Sequence, residues 1–370
     1  MKLGVNAWRL RTRTGVARVL LNIVRHWDRE FVNGRFDEIT LYSPTPLELD
    51  EPLPDFLRQK VIPPDSRMLV WENIHLPRVA RDDVLFCPSY TRPILTRSRT
   101  VSLMFEATSK LYPQYYPFSA RFIQTPLHGW SARNSTLVIT NTDQARADII
   151  AAYGAPPDKV RVVPLAPAEA FHAGYSPDLI ATARRKYCGG DAPYFLYVGK
   201  LTARRNVPRI VAALADLKKR HLVRHKLLVI GLNTTGIDLP NIAAELGIGD
   251  DVIYYPFVAD EDLALLYSGA TAFVLPYSYE SAASLTLLES QSAGTPVITG
   301  DTIGLRQAAG GAALFVPDVE SSTLAGAMMQ LVREPDLRAE LVRSGLENAK
   351  GYSWKRCSSE VLDLLRESAN

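Results

Sequence analysis

Cysteine is scarce in this chain. The three present, Cys87, Cys188 and Cys357, lie far apart among 370 residues and in no metal-ligand spacing. That spacing argues against a disulfide framework and against a zinc site, and buried or incidental thiols are expected. Long apolar runs are also missing: no stretch approaches the ~20 residues a membrane span needs. Charge of one sign is not in excess. Lys and Arg number 42 against 39 Asp and Glu, a net charge of +3. With no Lys/Arg run and no aromatic–basic signature, nucleic acid is not an expected partner. None of the histidines, His26, His75, His128, His172, His221 and His225, stands in an H-x-x-x-H or H-E-x-x-H pattern, so structural or exposed roles are expected. Gly-x-Ser-x-Gly and a Walker loop are absent, which weighs against a serine hydrolase and a P-loop NTPase. The N-terminus enters a strand directly, Lys2-Leu-Gly-Val-Asn-Ala, without a signal-peptide apolar region. The expected location is cytoplasmic, with no metal and no resident cofactor.

What is there is alternation. Short β-branched or apolar runs alternate with amphipathic helical stretches along the whole chain, the pattern of α/β folds with parallel sheets. The strands expected in the first half are 2–7, 38–43, 84–87, 100–105, 137–141 and 160–164. Those in the second half are 194–199, 226–231, 251–255, 271–275, 296–299 and 313–316. Helices fit between them, among them 15–28, 143–153, 176–187, 206–220, 260–268 and 320–333. Pro164-Leu-Ala-Pro-Ala-Glu-Ala-Phe171 reads as a linker, because two prolines punctuate it after a strand. The expectation is two Rossmann-like domains, 1–168 and 169–353. A last helix over about 354–370 is not placed by periodicity, and a return to the first domain is open to it.

Four constellations can carry chemistry. The first is Pro276-Tyr-Ser-Tyr-Glu-Ser-Ala-Ala-Ser-Leu-Thr-Leu-Leu-Glu289, which follows the apolar run 271–275 and leads to Gly294-Thr-Pro. A strand, a loop of small residues and a helix N-terminus make a place to hold a phosphate. Glu280 and Glu289 on either side of it can hold sugar hydroxyls, which points to a nucleotide sugar. The second is Tyr197-Val-Gly-Lys-Leu-Thr-Ala-Arg-Arg-Asn206. A strand ends at Gly199, and Lys200, Arg204 and Arg205 follow just before a helix. Cations there suit a diphosphate; the alternative is a solvated turn. The third is Gly15 after Leu10-Arg-Thr-Arg-Thr, where a glycine at a helix start lets a substrate approach the backbone. A plain turn glycine is the alternative. The fourth is Glu106, at the end of the run Val101-Ser-Leu-Met-Phe, the end of a parallel strand where ligands bind. An N-cap or surface carboxylate is the alternative.

On these residues the chain resembles the retaining glycosyltransferases of family 4, which have the GT-B fold. Tyr197-Val-Gly-Lys-Leu-Thr-Ala-Arg-Arg-Asn is similar to the family's G-R-L-x-P-R-K-N. Phe257-Val-Ala-Asp-Glu-Asp-Leu-Ala-Leu-Leu-Tyr267 is similar to V-x-D-E-D-L-x-x-L-Y, and Glu289-Ser-Gln-Ser-Ala-Gly-Thr-Pro-Val to E-A-M-A-x-G-T-P-V. In the first half, Asn141-Thr-Asp-Gln-Ala-Arg-Ala-Asp148 and Val162-Val-Pro-Leu resemble V-S-x-x-S-x-x-D and V-V-P-N-G. The resemblance implies two Rossmann-like domains facing across a cleft, with an acceptor site in the first and a donor site in the second. It implies that Glu289 holds the ribose and that the backbone at Ser284, Leu285 and Thr286 meets the phosphates. It further implies that Lys200 and Arg205 clamp those phosphates beside Gly199, that Glu280 contacts the transferred sugar, and that Gly15 lies near phosphate or acceptor. Two departures stand out. Eight residues separate Glu280 from Glu289 where the family has seven, and Phe105-Glu106 stands where the family often has His-Asp.

The implied reaction is retaining transfer of a hexose from a nucleoside diphosphate sugar, without a metal, to a glycan or lipid-linked saccharide of a cell-surface polymer. Trp71-Glu-Asn and Leu76-Pro-Arg78 resemble mannosyltransferase-like members, which favours GDP-mannose. The basic, apolar stretch from Arg9 to Trp27 is the candidate for peripheral contact with the inner face of a membrane; an ordinary core-packed helix is the alternative. Two rival readings stand beside transfer: a GT-B protein that binds a nucleotide sugar without transferring it, and a sugar-nucleotide epimerase of the same architecture.

Overall fold

The computed structural model describes residues 1–12, 14–49, 52–221 and 223–369. Arg13, within the basic stretch singled out above, lies outside the described residues, as does the side chain of His221. The chain divides into two compact units, Met1–Leu165 with Ser353–Asn370, and Ala166–Tyr352.

The first unit is built on a seven-stranded sheet in the order β3-β2-β1-β4-β5-β6-β7. Its strands are β1 Lys2–Asn6, β2 Glu38–Ser43, β3 Leu57–Val61, β4 Val84–Cys87, β5 Arg99–Leu103, β6 Leu137–Thr140 and β7 Val160–Val162. Every pair is parallel. β4 and β6 are buried along their whole length, because a parallel sheet covered by helices has no wet face. β3 is the strand the sequence pattern does not announce. It reads Leu-Arg-Gln-Lys-Val, lies at the sheet edge and is exposed over most of its length. Charged side chains on an edge strand keep it from pairing with another chain.

The second unit has six parallel strands in the order β10-β9-β8-β11-β12-β13. These are β8 Tyr194–Val198, β9 Lys226–Ile230, β10 Val252–Tyr255, β11 Ala272–Leu275, β12 Val297–Gly300 and β13 Leu314–Val316. Both sheets therefore start in the middle, grow to one side, return and grow to the other. This is the doubly wound Rossmann arrangement, with a switch point between β1 and β4 in one sheet and between β8 and β11 in the other. The second core is one continuous cluster that includes Tyr194, Leu196, Val229, Tyr267, Phe273 and Leu288.

The helix Trp354–Glu367 belongs to the first unit. It packs on the helix Gly15–Arg25 and on β4, burying Trp354, Cys357, Val361, Leu362 and Leu365. The Trp27 indole N–H donates to the Ser358 carbonyl at 3.2 Å, and Arg35 pairs with Asp363 at 2.7 Å. On Gly15–Arg25 the residues Ala17, Val19, Leu20, Ile23 and Val24 are buried, and Trp27 beyond it is buried too. The apolar side of the Arg9–Trp27 stretch is thus core, and the expectation of a membrane contact there is corrected. Hydrophobic burial against the last helix takes up the face that a membrane would need.

Candidate functional site

The switch point of the second sheet gathers most of the residues singled out in the sequence. β8 ends at Val198, and Gly199 follows with φ of +150°. That backbone conformation favours glycine. A Cβ there would stand 2.6 Å from the Arg205 guanidinium, and a Cβ on Gly231 would stand 2.1 Å from the Gly199 carbonyl oxygen. The loops after β8 and β9 therefore touch backbone to backbone, which only glycine permits.

The segment after Gly199 turns through Ala203–Arg205 and enters the helix Val207–His221 by way of Asn206, held at φ of +51°. The Asn206 side-chain amide donates to the carbonyls of Arg204 at 3.2 Å and Pro276 at 2.9 Å. These bonds tie the cationic loop to the end of β11, 70 residues away. The Tyr197 hydroxyl donates to the Lys200 carbonyl at 3.0 Å, and an Arg205 Nη reaches the same oxygen at 3.5 Å. Both guanidiniums lie by the Tyr277 ring, Arg205 at 5.1 Å and Arg204 at 5.7 Å from its centroid. Burial pushes the Tyr277 phenol above its ordinary pKa against the opposing charge of Arg205. Tyr277 is therefore a neutral platform under two cations.

Arg204 is the residue whose place spacing does not reveal. Its Nη1 donates to the Tyr279 carbonyl at 3.1 Å and to Glu280 Oε2 at 3.2 Å, with both side chains nearly out of solvent. The extra residue between Glu280 and Glu289 falls in a loop that is firmly held. Thr302 donates its hydroxyl to the Glu280 carbonyl at 3.1 Å, and Gly304 packs so closely on the carbonyls of Glu280 and Ser281 that a Cβ would come within 2.6 Å. Glu280 thus meets Arg204 as an ion-pair partner.

The helix Leu285–Ser292 follows. Ser284 occupies its N-cap position, yet its side chain makes no capping bond and instead meets the Thr286 hydroxyl at 2.9 Å. The Leu287 and Leu288 amides bond to the Ser284 carbonyl at 3.1 and 3.3 Å, and a helix start without a side-chain cap is a place where an anion can be held. Glu289 lies on the buried face of this helix, 1% exposed, and receives the Tyr267 hydroxyl at 3.4 Å. Gly199, Lys200, Arg205, Glu280, Ser284, Leu285, Thr286 and Glu289 therefore all belong to the second unit. Gly15 and Glu106 belong to the first.

In the first unit Gly15 opens the helix Gly15–Arg25 behind the N-cap Thr14, whose hydroxyl receives the Ala17 amide at 3.4 Å. A Cβ on Gly15 would meet nothing within 4 Å, so packing does not demand a glycine there. Glu106 follows β5 and accepts the Thr108 hydroxyl at 2.5 Å.

The first sheet's switch point holds a residue whose importance sequence spacing does not convey. Glu72, on the turn Trp71–His75, is fully buried. One carboxylate oxygen accepts the Thr91 hydroxyl at 2.6 Å, from the loop after β4, and the other has no hydrogen-bond partner among the described residues. Burial raises its pKa to about 7 against the Thr91 bond and the charges of Arg9 and Arg92. Arg9 comes from the loop after β1, so Glu72 stands beside both strands of the reversal. The His128 ring lies tilted against Tyr90 with centroids 5.3 Å apart, and burial lowers its pKa to about 4, so it is neutral at pH 7.

Residues 182–347 match the family model described as "Glycosyl transferases group 1". The chain carries a group 1 glycosyltransferase unit. Among curated proteins, the chain is 27% identical over 270 residues to the O-antigen chain mannosyltransferase B of Escherichia coli, covering 72% of this chain and 70% of that protein. It is 31% identical over 245 residues to a D-inositol 3-phosphate glycosyltransferase of Frankia alni, covering 63% of this chain and 59% of that protein. With that second relative the match thus spans less than two thirds of the protein's length. Two solved structures share the fold along nearly the whole chain. WaaG, a glycosyltransferase involved in lipopolysaccharide biosynthesis, superposes with a TM-score of 0.75 at 18% identity over 99% of both chains. HepE of Anabaena, crystallised with UDP and glucose, superposes with a TM-score of 0.75 at 13% identity over 98% of both chains. These are GT-B neighbours, and this chain has their fold of two Rossmann-like domains.

Proposed function

We propose that this protein transfers a hexose from a nucleoside diphosphate sugar to a glycan or lipid-linked saccharide acceptor with retention of anomeric configuration. Mannose from GDP-mannose is the first donor to test. The observation that carries this reading is the second switch point. There a Gly199–Gly231 backbone contact, two guanidiniums on Tyr277 and a helix start without a side-chain cap converge on the carboxyl ends of β8 and β11. Such a place suits a diphosphate. The family match over 182–347 supports the class of reaction. The mannosyltransferase among its relatives supports the sugar, and the UDP and glucose held by a protein of the same fold support the kind of donor.

In this mechanism the bond from the sugar C1 to the β-phosphate oxygen breaks through an oxocarbenium-like state, and a bond from C1 to the acceptor oxygen forms on the same face. Lys200, Arg205 and the start of the helix Leu285–Ser292 stabilise the charge that gathers on the departing diphosphate. That diphosphate accepts the proton of the acceptor hydroxyl, so no dedicated protein base is needed. The cations and the helix dipole take the part that a divalent metal plays elsewhere. Glu289 holds the ribose and Glu280 the transferred sugar, with Glu106 and Gly15 on the acceptor's side of the reaction.

A second reading draws on the Arg204–Glu280 ion pair. A carboxylate already held by a buried arginine is less available to a sugar, which favours a protein that binds a nucleotide sugar without transferring it. The experiment is a panel of GDP-, UDP- and dTDP-sugars, read first by thermal shift and then by release of nucleoside diphosphate with a saccharide acceptor. Selective stabilisation by one nucleotide and acceptor-dependent turnover are expected. Stabilisation without turnover on any donor supports the second reading, and no stabilisation by any nucleotide overturns both.

A further inference from the structure

Buried polar atoms without partners cost a fold stability, so a group of them in one place asks for a cause. The carboxyl ends of β1 and β4 hold such a group. Asn6 Nδ2, Arg9 Nε, Glu72 Oε1 and Ser89 Oγ are each buried and have no hydrogen-bond partner among the described residues. As whole residues, Asn6, Glu72 and Ser89 are almost completely out of solvent. Asn6 ends β1 and Arg9 lies just beyond it, while Ser89 lies two residues beyond β4. The β1–β4 register sets Gly4 beside Leu85, so Asn6 points to the same sheet face as Leu85 and Cys87, which pack with Trp71. Glu72 follows Trp71 and is tied to the loop after β4 through the Thr91 hydroxyl at 2.6 Å.

Two local distortions coincide with these atoms. The Leu76 amide bonds to the Trp71 carbonyl five residues back, so 71–75 is a π turn, a form frequent at functional sites. Between Ser89 and Thr91, Tyr90 stands at φ of +67°, an outlier for so bulky a side chain. Its ring rests edge-on against Phe105, and both it and the tilted His128 ring beside it are only half-buried. The chemistry of the unpartnered atoms narrows the ligand. Asn6 and Arg9 offer N–H donors, ionised Glu72 offers an acceptor, and Ser89 is able to do either. An anion would answer the donors and meet the charge of Glu72. A cation would answer Glu72 and meet the charges of Arg9 and Arg92, which already act on it. A neutral hydroxyl both gives and accepts, and so suits all four. Half-buried aromatic rings beside a few convergent polar groups supply the flat wall on which the C–H face of a sugar ring packs.

We propose that the carboxyl ends of β1 and β4 hold a saccharide, and that Glu72 and Ser89 select it by its hydroxyls. Glu72 is then a specificity-determining residue, and the stability lost by burying it is offset when the sugar binds. The inference rests on the transferase reading only in calling this saccharide the acceptor. The site lies wholly within the first unit.

The test is saturation-transfer NMR on the full chain, without nucleotide, against the methyl glycosides of mannose, glucose, galactose and N-acetylglucosamine and against myo-inositol. Binding of at least one is expected. Ser89→Ala should weaken that binding severalfold while the thermal midpoint holds or rises, because the hydroxyl it removes has no protein partner to lose. Glu72→Ala should weaken it about tenfold or more. Ser98→Ala removes another buried, unpartnered hydroxyl, at the amino end of β5, and should leave binding as it is. A purely structural role for Ser89 and Glu72 would move the melt and not the affinity. Failure of every probe to bind overturns the proposal. So does equal binding by Ser89→Ala and Glu72→Ala, or displacement of the bound glycoside by GDP or UDP, which would place it at the second switch point. Displacement by inorganic phosphate would make the ligand an anion and also overturn it. Saccharide binding without transfer on any donor would sink the transferase reading and leave this site standing.

Discussion

The two sheets share one strand order and differ where that order reverses. At the second reversal, between β8 and β11, the loops bring cations: Arg204 and Arg205 on Tyr277, with Glu280 as counter-charge. At the first, between β1 and β4, the buried group is an acid, Glu72, with Arg9 and Arg92 acting on it through space. The scaffold offers the same crevice twice, and a few loop residues decide the charge each crevice presents. One presents two guanidiniums beside a neutral phenol. The other stores a desolvated carboxyl whose protonation depends on pH.

The largest effect should come from breaking the ion pair at the second reversal. Glu280→Ala leaves Arg204 in place with its partner gone, and loss of one member of a buried pair costs about 3–5 kcal/mol. Urea unfolding followed in the second unit should show a loss of that order, with a melt of the first unit little changed. If Glu280 serves the sugar alone, stability will hold and only turnover will fall. Next is Arg205→Ala. Removing one charged contact to a developing anion lowers turnover about 10²–10³-fold. Near-normal transfer by this variant would show that the cations above Tyr277 only hold the loop.

The third test addresses the first reversal. Burial raises the folded pKa of Glu72 from its ordinary 4.5 to about 7. Below pH 4.5 both folded and unfolded chains carry the proton, and the shift costs nothing. Between about 4.5 and 7 the unfolded chain ionises first, so stability falls as pH rises, and the full cost remains above 7. Glu72→Gln keeps an acceptor for Thr91 and removes the charge. It should be more stable than the native chain at pH 8, by up to about 2–3 kcal/mol, and nearly equal to it at pH 4. Melting at the two pH values checks this, and a gain of equal size at both would place the effect in packing. The smallest effect is expected at Gly15→Ala. With open space around the new methyl, the helix should gain about 0.5–1 kcal/mol. A fall in turnover despite that gain would show that a substrate uses the space, and unchanged turnover would make Gly15 a plain helix start.

Much of the fold is legible in the chain because strand and helix signals are local. The apolar runs around 194–199 and 271–275 locate β8 and β11, and the stretches 143–153 and 260–268 coincide with the helices Asp143–Tyr153 and Asp260–Ser268. β3 escapes because an edge strand carries the polar residues that an apolar-run argument passes over. At the site, local chemistry marks the loop of Lys200, Arg204 and Arg205 and the start of the helix Leu285–Ser292. It does not say which arginine goes to which carboxylate. That choice rests on Asn206 reaching the Pro276 carbonyl, a contact between segments that no periodicity connects.

The sequence by itself determined the order of elements, the doubly wound class and the inventory of cations, carboxylates and glycines near each switch point. Side-chain periodicity and turn chemistry act over a few residues, and those features follow from them. Only the tertiary structure decided that Arg204 holds Glu280, that Glu72 is shut away from water, and that the apolar face of Arg9–Trp27 lies inside while Phe118 and Phe122 lie outside. Each of these depends on which distant segment covers a side chain. Burial, hydrogen bonding and charge are set by that covering segment as much as by the residue itself.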